Sequence, residues 1–273
     1  MSMAAEIARA ERDAEAAIRG SFAQVDSWHR AARSAPSRGS DLAADDADWL
    51  PLPMSEMARL KLDLAAEQLH QVKVMVEANE LSLTTQRIVV RTALIAASIA
   101  TWVLAPDAAA VRRARRRLLI EQTTFRHHQA LTQHAELERA TTLPVQPNLL
   151  RMIDHTSDRL DQIKQDRARN GDTDQWNETE IIRKAALHAF SRQPNAAALA
   201  AEAVLEFRFA SGAAHGLGWD LFNSPGMRAA GPAYRHGRAL MAATPAYSAL
   251  ADGYMAAYWI ATSAWQLLET RGR

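Results

Sequence analysis

Alanine sets the strongest constraint on what this chain can fold into. It occupies 56 of 273 positions, against 11 glycines and 10 prolines. Alanine is the best helix former and loses no side-chain freedom in a helix, while Gly and Pro, which interrupt helices, are sparse. The composition therefore predicts an all-α protein, with more than about 60% helix against the usual third and essentially no sheet.

Periodicity divides the chain. Residues 3–19 read as a short charged helix, and residues 33–53, rich in Pro, Ser, Gly and Asp, read as a linker. The expected organisation is an N-terminal helix and linker over 1–53, loosely held or docked as an appendage, and a bundle domain over 54–273. From Ser55, apolar residues recur at helical spacing: Met57, Leu60, Leu64, Val72 and Met75. The alternating stretch QVKVMVE lies among helix formers and is read as helix. Residues 84–104 are apolar nearly all round, which places that helix in the middle of a bundle. A long helix from Asp107 to about Ala140 follows, then one from Leu149 to Arg167. Asn177 and Glu180 have capping-box spacing for a helix to about Phe190. Pro194 and Asn195 open another, which Gly216 and Gly218 close. Residues 217–243 are mixed, and Thr244 and Pro245 open a last helix reaching about Glu269. The architecture expected is a bundle of about seven helices with an N-terminal helical appendage.

Composition excludes several chemistries. With no cysteine, disulfides, zinc–thiolate sites, iron–sulfur clusters and cysteine nucleophiles are ruled out. The 32 basic and 31 acidic residues leave a net charge of +1, so any case for a nucleic-acid partner must rest on a local patch. Arginine outnumbers lysine 28 to 4, which with the alanine excess matches a GC-rich bacterial or phage genome. The first 20 residues carry acids throughout and no uninterrupted apolar run, so no secretory signal is read there. The most apolar run, Thr92 to Pro106, has 15 residues, short of the roughly 20 that span a bilayer. A cytoplasmic protein with no membrane partner is expected.

Four constellations carry candidate chemistry. Arg112, Arg113, Arg115, Arg116 and Arg117 cover about 200° of a helix surface; such a patch can neutralise RNA phosphates, or be a face paired with acids of neighbouring helices. His127 and His134 share a face with Glu138, but a bundle dimetal site needs two Glu-x-x-His motifs and only Glu67 to His70 has that spacing, so no metal site and no cofactor are read here. Tyr247, Tyr254, Tyr258 and Trp265 fall within about 20° of one line on the last helix, a stacking platform for bases or, in preference, a packed seam inside the bundle or across a dimer. Finally, Arg208, Ser211 and His215 stand at i, i+3 and i+7 on one helical face. Gly212 and Gly216 remove side-chain bulk beside them. A guanidinium that holds a phosphate and an imidazole that moves a proton suit phosphodiester chemistry.

The segment Arg208-FASGAA-His215 resembles the C-terminal helix of the HEPN superfamily, helical domains of toxins, phage-defence proteins and RNA-processing nucleases. Their signature is Arg, four to six residues, then His. Ser-Gly-x-x-His-Gly after an aromatic–Arg pair also resembles actinobacterial and phage helical proteins akin to that group, as do the earlier stretches RTALIAASIATWVLAP, VRRARRRL and NETEIIRKA. The likeness covers about residues 84–222. Many members place Asn, Asp or His directly after the Arg; this chain has Phe209, and Ile95 where an early-helix acid often sits. The resemblance implies a HEPN-like core, a homodimer, and metal-independent cleavage of RNA to a 2′,3′-cyclic phosphate, with His215 as general acid/base, Arg208 as phosphate clamp and Ser211 as an auxiliary donor. A toxin or anti-phage effector with an antitoxin or other protein partner is one expectation. The alternative is a non-catalytic helical protein that uses the same fold for dimerisation or partner binding, with His215 capping a neighbouring backbone.

Overall fold

The computed structural model describes residues 3–32, 34–47, 52–141, 144–217, 227–229, 241–243 and 246–273. The protein is all-α. Its helices are α1 (Met3–Gly20), α2 (Phe22–His29), α3 (Asp41–Asp46), α4 (Met54–Glu77), α5 (Leu83–Leu104), α6 (Ala109–Ala140), α7 (Pro147–Arg169), α8 (Glu178–Ala189), α9 (Ala196–Ala214) and α10 (Ser248–Gly272). Together they take in over two-thirds of the chain. Seven helices, α4 to α10, follow residue 54 among the described residues. Sheet is confined, among the described residues, to two three-residue strands, β1 (Met227–Ala229) and β2 (Met241–Ala243), paired antiparallel with Met227 opposite Ala243. Gly218, Thr244 and Pro245, expected as helix-ending and helix-starting residues, lie outside the described residues.

The chain forms two compact units: Met1–Ala105 with Glu178–Arg273, and Pro106–Asn177. This grouping does not follow the expected boundary at residue 53, because the N-terminal segment carries core residues. Ile18, Val25 and Leu42 are buried, and α1, α2 and α3 pack on α4 and α10. The expected linker also contains α3, whose Ser40 side chain accepts from the Ala43 N–H at 3.2 Å as an N-cap.

In the first unit α5 is central, in contact with α4, α8, α9 and α10. The reason is the distribution of small residues: Ala93, Ala96, Ala97 and Ala100 are all buried, so several helices approach its axis at once. Thr101, fully buried, donates from its hydroxyl to the Ile260 carbonyl of α10 at 3.1 Å. Arg271 donates to the Leu104 and Ala105 carbonyls at 2.7 and 3.2 Å, satisfying acceptors that the C-terminus of α5 leaves open. The stretch Thr84–Leu104 is long and apolar enough to cross a membrane by length and composition, more than the 15-residue run suggests, but 72% of it is buried inside the protein.

The aromatic line of α10 is a seam inside the chain. Tyr254 is fully buried and its hydroxyl bonds that of Ser21 at 2.7 Å; burial pushes the Tyr254 phenol up to about 12. The Trp28 ring lies 5.3 Å from Tyr258 and 6.3 Å from Trp265, stacked on the latter. The Glu11 carboxylate accepts from the backbone N–H of Tyr247 at 2.8 Å and of Ser248 at 3.2 Å, and from the Ser248 hydroxyl. An acid of α1 thus caps the N-terminus of α10. Because α1 and α2 cover the line, it gives no separate argument for a dimer.

The second unit is a pair of helices. Partners across α6 and α7 run in opposite chain directions: His128 bonds Thr156 at 3.0 Å, and Arg167 bonds Glu121, so the helices are antiparallel. Leu118, Leu119, Ile120, Ala135, Leu149, Leu160 and Ile163 are its buried apolar residues among those described.

Candidate functional site

Helix α9 shows two faces. Ala200, Ala203, Phe207, Ala210 and Ala213 are buried, while Ala201, Leu205, Arg208 and His215 are exposed. The helix ends where Gly216 takes φ +65°, and the Gly216 and Leu217 N–H groups return to the Ala213 and Gly212 carbonyls at 3.1 and 3.0 Å. Such a turn favours glycine. Gly216 serves this conformation rather than clearance, since a Cβ there would meet nothing within 4 Å. His215 is the C-cap residue.

Arg208 and His215 share the exposed face as the spacing predicts, seven residues or about 10 Å apart along the axis. Neither side chain makes a hydrogen bond or ion pair among the described residues. Ser211 differs. It is half-buried, donates its one hydroxyl proton to the Phe207 carbonyl at 2.8 Å, and accepts from Arg91 Nε at 2.9 Å. A hydroxyl has one proton to give, so Ser211 is a positioning group and not the donor that the resemblance implies. Its partner Arg91, from α5, lies over the Phe207 ring at 5.3 Å and 3.9 Å from the Glu178 carboxylate. Sequence reasoning did not place Arg91 here; the available signal was a charged residue within the apolar run of α5.

The expected RNA-binding arginines belong to the second unit. Arg112 and Arg116 are 2% and 1% exposed, and none of the five is exposed. Arg112 donates to the Pro106 and Asp107 carbonyls at 2.9 and 2.7 Å, closing the turn before α6. Burial pushes the Arg115 guanidinium down from its ordinary value, against the pull of Asp174. Arg117 makes a two-pronged pair with Asp172 at 2.7 and 3.1 Å. Pairing with acids, the alternative reading of this cluster, holds for Arg117, although through burial rather than on a solvated face. Arg117→Ala is expected to destabilise the protein by about 3 kcal/mol, because Asp172 is left largely buried without its cation. The check is a urea unfolding midpoint, and a change below experimental error would show the pair to be idle.

The histidine face is open. His127 is exposed, and His134 lies 3.6 Å from Glu138. No cluster of three His, Asp or Glu able to hold a metal occurs among the described residues.

Glu206, two residues before Arg208, points the other way, into the contact with α10. A Cβ added at Gly253 would sit 3.1 Å from its Oε2. Burial raises its carboxyl from 4.5 to about 7; Asp252 and Glu202 push in the same direction and Arg87 opposes them. Between these values the folded protein holds a proton that the unfolded chain has lost, so stability falls as pH rises through that window. Glu206→Gln is expected to match the parent near pH 5 and to exceed it above pH 7, by an amount on the order of 3 kcal/mol. Denaturant midpoints at the two pH values read this; a parent and variant that stay parallel would contradict it.

Two of the clefts on the first unit border α10. One, of about 720 Å³, lies between the segment after α2 and the C-terminal half of α10, around Trp28, Arg59 and Trp265. The other, of about 640 Å³, lies between the α8–α9 turn, α9 and α10. Neither is lined by Arg208, Ser211 or His215. Comparison of the chain with protein-family models, with curated proteins and with solved structures finds no match.

Proposed function

We propose that this protein is a HEPN-like, metal-independent endoribonuclease whose working groups are Arg208 and His215. The observation that carries this reading is their exposure: a guanidinium and an imidazole stand on one face of α9, unpaired among the described residues, while Ser211 and Arg91 brace the helix beneath them. In a packing role both side chains would be buried and bonded internally. Arg208 would grip two non-bridging phosphate oxygens with its planar fork. The ribose 2′-oxygen attacks phosphorus, its proton passes to an imidazole, and the bond to the 5′-oxygen breaks as that oxygen gains a proton. The products are a 2′,3′-cyclic phosphate and a 5′-hydroxyl.

That sequence needs one base and one acid, and each chain offers one His215. Two copies meeting through the α9 face would supply both, which is the physical argument for a homodimer. Leu205, 48% exposed one turn before Arg208, is an apolar residue that a second copy would cover. The cellular role that fits is a cytoplasmic toxin or anti-phage effector restrained by a protein partner. The second reading, a partner-binding helical protein without catalysis, draws on the same face lying outside both clefts.

The test is incubation of the purified protein with mixed RNA, with and without EDTA, alongside light scattering. The expected result is cleavage that survives EDTA, leaves cyclic phosphate ends, and comes from a particle of twice 30.1 kDa. Intact RNA under every condition, from a particle the size of one chain, would move the assignment to the partner-binding reading.

A further inference from the structure

The 640 Å³ cleft is separate from the α9 face and has its own chemistry. Its size suits a small molecule, since such sites run from about 300 to 1,000 Å³. One wall is a single face of α10, carrying Asp252, Met255, Trp259, Ser263 and Gln266. Leu199 and Glu202 of α9 and the α8–α9 turn make the other.

Trp259 is 48% exposed, a large cost in apolar surface left in water. Its indole meets Tyr258 edge-on at 5.1 Å and 69°. Met255 and Leu199 continue this apolar floor.

Charge along the cleft is segregated. Asp252 and Glu202 are both exposed and neither has an ion pair among the described residues. Both raise the carboxyl of Glu206 behind them, against the pull of Arg87. The basic lining residues, His188 and Arg192, belong to the end of α8 and the turn after it. Glu202 lies six residues, about 9 Å, along α9 from the start of that helix next to the turn. One end of the cleft is therefore acidic, the other basic, and the middle is aromatic and aliphatic.

We propose that this cleft binds a small organic cation with an apolar body, its ammonium or guanidinium head at Glu202 and Asp252 and its body along Leu199, Met255 and Trp259. The acids attract the head, and the indole packs on the apolar body. Arg192 disfavours the reverse orientation by like-charge repulsion. Asp252 and Trp259 are seven residues apart on α10, about 10 Å, which sets the length of ligand that reaches both.

The test is calorimetric titration of the full chain with three probes of similar shape and about that length: 4-phenylbutylammonium, 4-phenylbutanol and 5-phenylpentanoate. The amine is expected to bind with saturation, and the alcohol and the acid at least about tenfold more weakly. The Glu202→Gln, Asp252→Asn double variant should lose about tenfold for the amine alone. Trp259→Ala should weaken all apolar probes. These side chains are exposed, so a far-UV spectrum and melting point like the parent's are expected; single variants at Glu202 and Asp252 serve if the double variant does not fold. Equal affinity for amine and alcohol, an amine affinity unchanged in the charge variants, or no saturation at millimolar amine would each overturn the proposal. RNA cleavage is untouched by any of these outcomes, which keeps this site's test apart from that of Arg208 and His215.

Discussion

Replacing His215 with alanine is expected to cut RNA cleavage by about 10²–10⁴-fold, the range a general acid or base contributes, with melting point and far-UV spectrum unchanged. The second half of that expectation follows from exposure. His215 makes no side-chain bond among the described residues, and its backbone N–H, bonded to the Ser211 carbonyl at 3.0 Å, is unaffected by the substitution. Exposed positions of this kind shift stability by no more than about 0.5 kcal/mol. Arg208→Ala should fall as far, and Arg208→Lys should recover part of the loss, because an ammonium keeps the charge but not the two-pronged grip. Ser211→Ala behaves differently. It removes the acceptor of Arg91 Nε and is expected to cost about 1 kcal/mol of stability, with a smaller fall in rate. A fully active His215→Ala enzyme would end the nuclease assignment for this face.

Removing the N-terminal helices carries the second large effect. Trp28 is 6% exposed and lies between Tyr258 and Trp265. Trp28→Ala is expected to destabilise the protein by about 3–5 kcal/mol, the usual range for a buried aromatic truncated to alanine. Deleting residues 1–31 goes further. It uncovers Tyr254 and the rest of the seam, and it takes Glu11 from the open N–H groups of α10. The expected product is an aggregated or molten chain with a collapsed near-UV signal. An appendage would leave the melting temperature and the near-UV spectrum where they were, so a soluble, cooperative deletion variant would refute the integrated fold.

Much of the helical framework was legible because the signal is local. Alanine content and apolar spacing are properties of neighbouring residues, and they placed α4 to α9 within about three residues of their observed ends and α5 at the centre. The short helix α3 was missed inside a stretch dominated by Pro, Ser and Asp, although Ser40 had the side chain of an N-cap. The arginine cluster shows where local reasoning stops. Spacing gives the arc of a helix surface but not what lies against it, and Arg117 finds Asp172 55 residues onward. Ser211 and Arg91 are 120 residues apart, and Ser21 and Tyr254 are 233 apart. The shared face of Arg208 and His215 was readable, being one helix; the commitment of the Ser211 hydroxyl was not.

The small residues around α5 have a consequence for how this protein should be surveyed. Ala93, Ala97 and Ala100 on α5, and Ala257, Ala261 and Ala264 on α10, are all fully buried, and these two helices meet along their length. At these positions the side chain that holds the structure is a single methyl group. Alanine scanning, the customary map of importance, leaves every one of them unchanged and would record this fully buried contact as blank. Glycine at such a site loosens the helix, and valine overfills the contact. A scan with those two residues would draw the true outline of the core, centred on the residues that the usual method cannot see.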